Sequence, residues 1–381
     1  MKVLYCAIDQ TVPGTTGGSV HVTAVAEGLA ALGHEVHALV TPGGPFPGGR
    51  VHWTAMAPPL GAKQLRWARA GEVKRLAQRT RPDAIIERYY NFGGEGISAA
   101  PSIGATSVLE VNAPVIDHPG SYKALVDRLL VVQPMRRWRE RICRTSDLIV
   151  TPSAAILPPG TPASKIVELE WGADTDRFRP GAAGPLPFTR PPGMVAVFAG
   201  AFRSWHGAIH LAHAIRELRA RGRGDVSAVF IGDGPELPRV REAARGLDGV
   251  VFTGAVAHDR MPACLAAADV GVAPFDLSRH APLALGFYWS PLKIFEYMAT
   301  GLPVVAPRVA RMPSLVEHGH DGWLYDPGAS GALADALERL TDPSTRDRLG
   351  SAARERAVRD YSWKTHCAKL DAAIRRARGE P

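Results

Sequence analysis

Two separate runs of strand and helix alternation constrain the fold more than any other feature of this chain. A β-prone apolar run at 2–8 gives way to Gly14, Gly17 and Gly18; Val22, Val25, Ala26, Leu29 and Leu32 then recur along one helix face, Gly33 ends that helix, and 35–41 is β-prone again. Such a strand, glycine loop, helix and strand unit builds a doubly wound parallel sheet, with the loop at the carboxyl edge where ligands bind. Short apolar runs at 83–90, 106–112, 147–153 and 165–171 extend the first sheet. A proline-rich stretch at 181–193 reads as a linker, and the alternation restarts with runs at 194–200, 226–232, 250–254, 269–275 and 303–306. The expectation is an α/β protein of two doubly wound Rossmann-like domains, at 1–180 and 194–359.

A chain of 381 residues, 46% hydrophobic and with mean hydropathy near zero, has enough apolar surface for two cores. No run reaches the roughly 18 apolar residues of a spanning helix, and Asp9 interrupts the first apolar run too early for a signal peptide, so a cytoplasmic protein is expected. Cys6, Cys143, Cys264 and Cys367 are scattered without metal-ligand spacing, which predicts reduced, buried thiols. The net charge of +8 fits an anionic partner, but charge alone does not choose among nucleotide, nucleic acid and lipid. A basic helical stretch at 63–82, carrying Leu65, Trp67, Val73 and Leu76, and a second basic cluster at 136–144 around Trp138 suit either solvated outer helices or an anionic membrane surface.

The most informative segment is Ser290-Pro-Leu-Lys293-Ile-Phe-Glu296-Tyr-Met-Ala-Thr-Gly301, a short helix leading into the buried run Val304-Val305. A helix start favours anions, Lys293 adds a positive charge there, and Glu296 on the same face is suited to accept hydrogen bonds from sugar hydroxyls. The pair equally fits an ordinary i,i+3 surface ion pair. Gly14-Thr-Thr-Gly17-Gly18 does not match the dinucleotide fingerprint G-x-G-x-x-G, which argues against a dehydrogenase, and a lone Gly-Gly also fits a tight turn. Strand ends supply Glu87, Arg88, Tyr89, Glu110 and Asn112 as candidates to line a second-substrate pocket.

Residues 290–306 resemble the donor-site motif of the retaining glycosyltransferases of family 4, which have the two-domain GT-B fold. Further segments are similar to that family in the same order. Gly17-Gly18 resembles its opening motif, and 171–180 its entry to the interdomain linker. Gly200-Ala-Phe-Arg203-Ser-Trp-His206-Gly207 resembles its diphosphate-gripping loop, and Ile231-Gly232-Asp-Gly234 with Phe252-Thr-Gly-Ala-Val256 its turns near the nucleotide base.

The resemblance implies two domains facing across a cleft, with a last helix at about 360–381 packing back on the first. It implies transfer of a sugar from a UDP- or GDP-sugar to a hydroxyl acceptor, with retention of configuration and with neither cofactor nor metal. Arg203 and Lys293 would be catalytic. Gly17, Gly18, Arg203, His206, Gly232, Gly234, Val256, Lys293 and Glu296 would bind donor, and Glu87, Tyr89 and Asn112 would face the acceptor. Two positions depart from the family pattern: Tyr288 stands where the first glutamate of Glu-x7-Glu is expected, and His206 stands in a lysine place. Asp174-Thr-Asp176 imitates a metal-binding Asp-x-Asp, but it falls in the family's linker-entry segment and reads as a backbone-capping turn. The acceptor side implies a small molecule, glycan or lipid-linked partner and peripheral contact with an anionic membrane, not nucleic acid. A nucleotide-sugar epimerase and a non-catalytic nucleotide-sugar binder share this architecture and remain the alternatives.

Overall fold

A computed structural model of the chain describes residues 1–129 and 133–380. They divide into two compact units. The first comprises Met1–Trp171, Tyr288–Ser290 and the chain from Trp363 onward; the second comprises Gly172–Phe287 and Pro291–Ser362. Residues 172–180, expected in the first domain, belong to the second: Phe178 is buried there, and the Arg354 guanidinium donates to the carbonyls of Thr175, Phe178 and Ala299.

In the first unit β1 (Lys2–Val12), β2 (Glu35–Pro42), β3 (Val51–Ala55), β4 (Ala84–Arg88), β5 (Thr106–Glu110), β6 (Leu148–Thr151) and β7 (Ile166–Glu168) form one sheet in the order β3-β2-β1-β4-β5-β6-β7. Every pairing is parallel. The order reverses between β1 and β4, and a crevice opens at such a switch point beyond the carboxyl ends of the strands. Helices α1 (Gly17–Ala31), α2 (Ala70–Thr80), α3 (Glu95–Ala99), α4 (Tyr122–Leu129) and α5 (Pro134–Thr145) cover the sheet or its edges. Edge strand β3 lies inside the Pro/Gly-rich stretch 42–62, where sequence pattern gave no strand. The basic stretch at 63–82 is not one helix: 63–69 is a 3-10 turn, and α2 begins at Ala70.

The second unit repeats the plan with β8 (Met194–Ala199), β9 (Val226–Ile231), β10 (Val250–Gly254), β11 (Val270–Val272), β12 (Val304–Pro307) and β13 (Gly322–Tyr325), in the all-parallel order β10-β9-β8-β11-β12-β13. Its switch point lies between β8 and β11. Around it stand α6 (Ala208–Ala220), α7 (Leu237–Ala243), α8 (Met261–Ala266), α9 (Leu292–Ala299), α10 (Met312–Leu315), α11 (Ala332–Arg339) and α12 (Pro343–Asp360). The core joins Phe198, Phe230, Val270, Val272 and Val305 from the strands to Leu211, Ile215 and Leu218 of α6.

The last helix, α13 (Trp363–Ala377), packs on the first unit. Leu370, Ala373 and Ile374 enter that core beside Val22, Val25 and Leu29 of α1. The contact is close at Gly28, where an added Cβ would lie 2.3 Å from Cys367 Sγ. All four cysteines are free and buried, as their spacing predicted.

Candidate functional site

The floor of the site in the second unit is backbone. Where β8, β9 and β10 end, Gly200 N–H donates to Ile231 O (2.9 Å), Phe202 N–H to Asp233 O (2.9 Å) and Gly232 N–H to Gly254 O (2.8 Å). Gly232 has φ +128°, and a Cβ there would sit 2.0 Å from Gly200 O, so only glycine lets these strand ends close on one another. A Cβ on Gly234 would likewise crowd the Phe202 backbone, 2.7 Å from its nitrogen.

Helix α9 is fixed over that floor by Tyr297. Its ring lies where Gly271 of β11 has no side chain, and its Oη accepts the Ala199 N–H at 2.7 Å. Lys293, one turn earlier on the same face, is thereby aimed at the switch point. Its Nζ lies 4.1 Å from the ring centre of Phe198 and 5.3 Å from that of Phe275, and a Cβ on Gly200 would be 3.1 Å away. That Nζ is buried and has no hydrogen-bond partner among the described residues. Burial draws its pKa down to about 7, against a smaller upward pull from Glu296. An ammonium held over aromatic faces with no acceptor is an unfinished anion site, because burying such a charge is costly until a counter-charge arrives.

Glu296, on the next part of the helix, pairs through Oε1 with His258 Nε2 at 3.0 Å. His258 stands two residues beyond the half-buried Val256 in the turn after β10, so the carboxylate and the turn are held together. Nothing in the sequence pattern singled out His258. Arg203 is exposed; its guanidinium lies 6.0 Å from the ring centre of Trp205, and its carbonyl accepts the His206 N–H at 3.0 Å. His206 departs from its expected role. Its Nδ1 donates to Ala201 O, and burial followed by the charge of Lys293 depresses its pKa to about 3, so near neutrality it offers a lone pair at Nε2 and not the positive charge expected of it.

In the first unit Gly17 and Gly18 are the first residues of α1, behind the cap Thr16, and not part of the preceding loop. A Cβ on Gly18 would meet Gln10 Oε1 at 2.1 Å. The other candidates fall into two buried networks. Glu87 is 1% exposed; it accepts the N–H groups of Gly94, Gly96 (2.6 Å) and Ile97 (3.0 Å) and meets Arg66 at 3.2 Å. Arg66 is itself fully buried and also grips Asp9 (2.6 Å) and Glu95 (3.0 Å), although its sequence context suggested a solvated helix. Burial and the nearby Glu95 carboxylate push the Glu87 pKa upward.

Asn112 joins the second network. Its Oδ1 accepts from Trp171 Nε1 (2.8 Å) and its amide donates to Glu110, which pairs with Arg88 (2.6 Å) and receives the Tyr5 hydroxyl. His21 of α1 takes Arg88 at Nδ1 (3.0 Å) and packs on Trp171, leaving a buried Nε2 without a partner among the described residues. Tyr89 stands apart, buried, its hydroxyl donating to Asn91 Oδ1 at 2.9 Å. The acceptor-side candidates therefore make internal networks, and Glu87 in particular has its oxygens occupied.

Two Rossmann-like units, each an all-parallel doubly wound sheet, with a cationic and glycine-rich switch point in the second, define the GT-B class. Residues 15–157 match the family described as Glycosyltransferase Family 4, and residues 193–342 match Glycosyl transferases group 1. The chain belongs to glycosyltransferase family 4. It is 32% identical over 219 residues to a GDP-mannose-dependent alpha-(1-6)-phosphatidylinositol monomannoside mannosyltransferase of Mycobacterium tuberculosis, covering 55% of this chain and 55% of that one. The chain thus spans about half the length of the curated relatives it matches. In fold it is similar to a sucrose-phosphate synthase from Thermosynechococcus elongatus (TM-score 0.76, 18% identity, 99% of both chains). It is also similar to Anabaena HepE in complex with UDP-glucose (TM-score 0.68, 19% identity, 98% of this chain and 99% of that one).

Proposed function

We propose that this chain is a retaining glycosyltransferase that takes a sugar from a UDP- or GDP-sugar and places it on a hydroxyl acceptor, with no required metal or cofactor. The observation that carries the reading is the buried, unpartnered Nζ of Lys293 over Gly200. A donor diphosphate supplies the missing acceptor atoms. The GDP-mannose and UDP-glucose named for the two relatives above support a nucleoside diphosphate donor.

In the reaction the bond from the anomeric carbon to the diphosphate breaks, and the diphosphate leaves with added negative charge. The acceptor oxygen bonds to that carbon and gives up its proton to an oxygen of the departing diphosphate. Lys293, fully charged once an anion is beside it, stabilises the leaving group, and exposed Arg203 adds a second cation; fixed charge aimed at developing charge is the strongest form of electrostatic catalysis. Glu296, steadied by His258, takes the ribose hydroxyls. The Gly232, Gly234 and Val256 turns receive the base. Neutral His206 serves as a hydrogen-bond acceptor for a sugar or ribose hydroxyl. Gly17 and Gly18 keep the donor-facing role implied by resemblance, as a helix start bare of side chains. Retention of configuration rests on family membership.

The proposal extends to a peripheral position on an anionic membrane. Among the described residues no helix is long and apolar enough to cross a membrane. Tyr122 (77% exposed), Leu125 (54%) and Leu129 (75%) form an exposed apolar stripe on α4. Asp127, on the opposite, buried side of that helix, accepts the first N–H groups of α5 at 3.0 Å, and α5 carries the exposed Arg136, Arg137, Arg141 and Arg144. Apolar stripe plus arginines is the composition of an interfacial surface.

Incubation with a panel of nucleotide-sugars and hydroxyl acceptors, read by mass spectrometry, tests the function. Transfer releases a nucleoside diphosphate only when an acceptor is present. Conversion of the donor without acceptor would instead identify an epimerase, and saturable donor binding without turnover a binding protein.

A further inference from the structure

We propose that Glu35, His37 and His52 form a binding site for a late first-row divalent metal ion of the Zn²⁺ or Ni²⁺ kind. The parallel register pairs His37 of β2 directly with His52 of the edge strand β3. Glu35 lies two residues before His37 and so projects to the same face of the sheet. The His37 and His52 rings are stacked with centroids 4.7 Å apart, and His37 Nε2 lies 2.8 Å from Glu35 Oε1. One donor atom from each of the three residues lies within 4.8 Å of the others. Bonds of about 2.0–2.2 Å to one ion need donors roughly 3–3.5 Å apart, a change within reach of side-chain rotation alone.

The donor set selects the ion. Two imidazoles and one carboxylate suit zinc, nickel or copper and not magnesium or calcium, which prefer all-oxygen shells. Glu35 offers the carboxylate donor, its Oε1 already beside His37 Nε2. Lys2 Nζ is 3.1 Å from the same Oε1, so an entering cation competes with that ammonium. The His52 ring makes no hydrogen bond among the described residues, which leaves both its nitrogens open. The other cluster of this kind, Glu317, His320 and Asp321, is already committed: Asp321 accepts the Glu317 N–H at 2.7 Å and pairs with Arg356 at 2.5 Å.

All three ligands lie at the amino ends of their strands, away from the carboxyl edge where the proposed chemistry sits. The ion would cross-link the edge strand β3 to its single neighbour and stabilise the first unit, whatever reaction the protein performs. Sequence spacing hides the site, because His52 is fifteen positions from His37 and only strand pairing joins them.

Calorimetric titration of the EDTA-treated full chain with zinc chloride near neutral pH tests this. The four thiols are buried and do not compete. One equivalent should bind with saturation, magnesium chloride should give no heat, and zinc should raise the midpoint of thermal unfolding. His52→Ala, at an exposed position, should weaken binding at least about tenfold and abolish the thermal shift, as loss of one of three protein ligands requires. Glu35→Gln should act in the same direction, and His320→Ala should leave binding unchanged. Absence of saturable binding below about 100 µM zinc, or binding that survives His52→Ala and Glu35→Gln, overturns the proposal.

Discussion

Replacing Lys293 by methionine separates what this side chain costs the fold from what it contributes to turnover. In the folded protein its pKa is drawn from 10.5 to about 7, so the unfolded chain binds the proton more tightly. Below the folded value the full penalty of the buried charge applies. Stability rises as pH climbs from about 7 to 10.5, because the unfolded state holds the extra proton throughout that window. At pH 7 the penalty is on the order of 4 kcal/mol, and at pH 9 it is roughly 2 kcal/mol. Methionine has a similar length and packs well on the Phe198 and Phe275 rings, so ligand-free Lys293→Met should be more stable than the parent at pH 7 by about 2–4 kcal/mol, with the gap narrowing toward pH 9. Turnover should move the other way, falling about 10²–10³-fold for the loss of one aimed charge in the transition state. Urea unfolding of the second unit at two pH values, together with steady-state kinetics, measures both. A third reading comes from diphosphate binding at about pH 8: the parent should take up close to one proton, seen as a dependence of binding heat on buffer ionisation, and the variant none. Equal stability at pH 7, unchanged turnover and no proton uptake would together refute the assignment of Lys293.

Glu296→Gln should weaken donor binding about tenfold by loss of a charged hydrogen-bond acceptor, with turnover at saturating donor changed less than about threefold; unchanged donor affinity would remove Glu296 from the ribose. Arg66→Met leaves Asp9, Glu87 and Glu95 facing one another without their shared cation, and should cost the first unit about 3–5 kcal/mol in chemical denaturation. A loss under about 1 kcal/mol would mean that the carboxylates neutralise themselves by taking up protons. Paired Leu125→Glu and Leu129→Glu substitutions on the exposed stripe of α4 should abolish co-flotation with vesicles containing anionic lipid while transfer to a soluble acceptor is retained. Unchanged flotation would dissociate α4 from the membrane.

The contrast between what sequence pattern conveyed and what it hid follows from the range over which each interaction acts. Hydrophobic period and glycine placement are local properties, which is why the two doubly wound sheets and the helix carrying Lys293 were legible. The strand β3 was not, because its Val51–Ala55 run is short, sits among prolines and glycines, and is strand-like only by pairing with β2. Buried charge is hidden for the same reason. Arg66 looks like one more cation in a basic stretch until the ends of β1 and β4 and the start of α3 bring Asp9, Glu87 and Glu95 around it, and the fold alone turns a solvent-seeking side chain into a buried tie. His206 shows the complementary case. Its identity and place in the loop suggest a departure from the family's lysine, but its charge depends on burial, on the neighbouring Lys293 and on Ala201 O, none of which periodicity reports. Motif resemblance thus locates where an anion would be handled, and the packing around Gly200 indicates that Lys293, and not His206, brings charge beneath the strand ends.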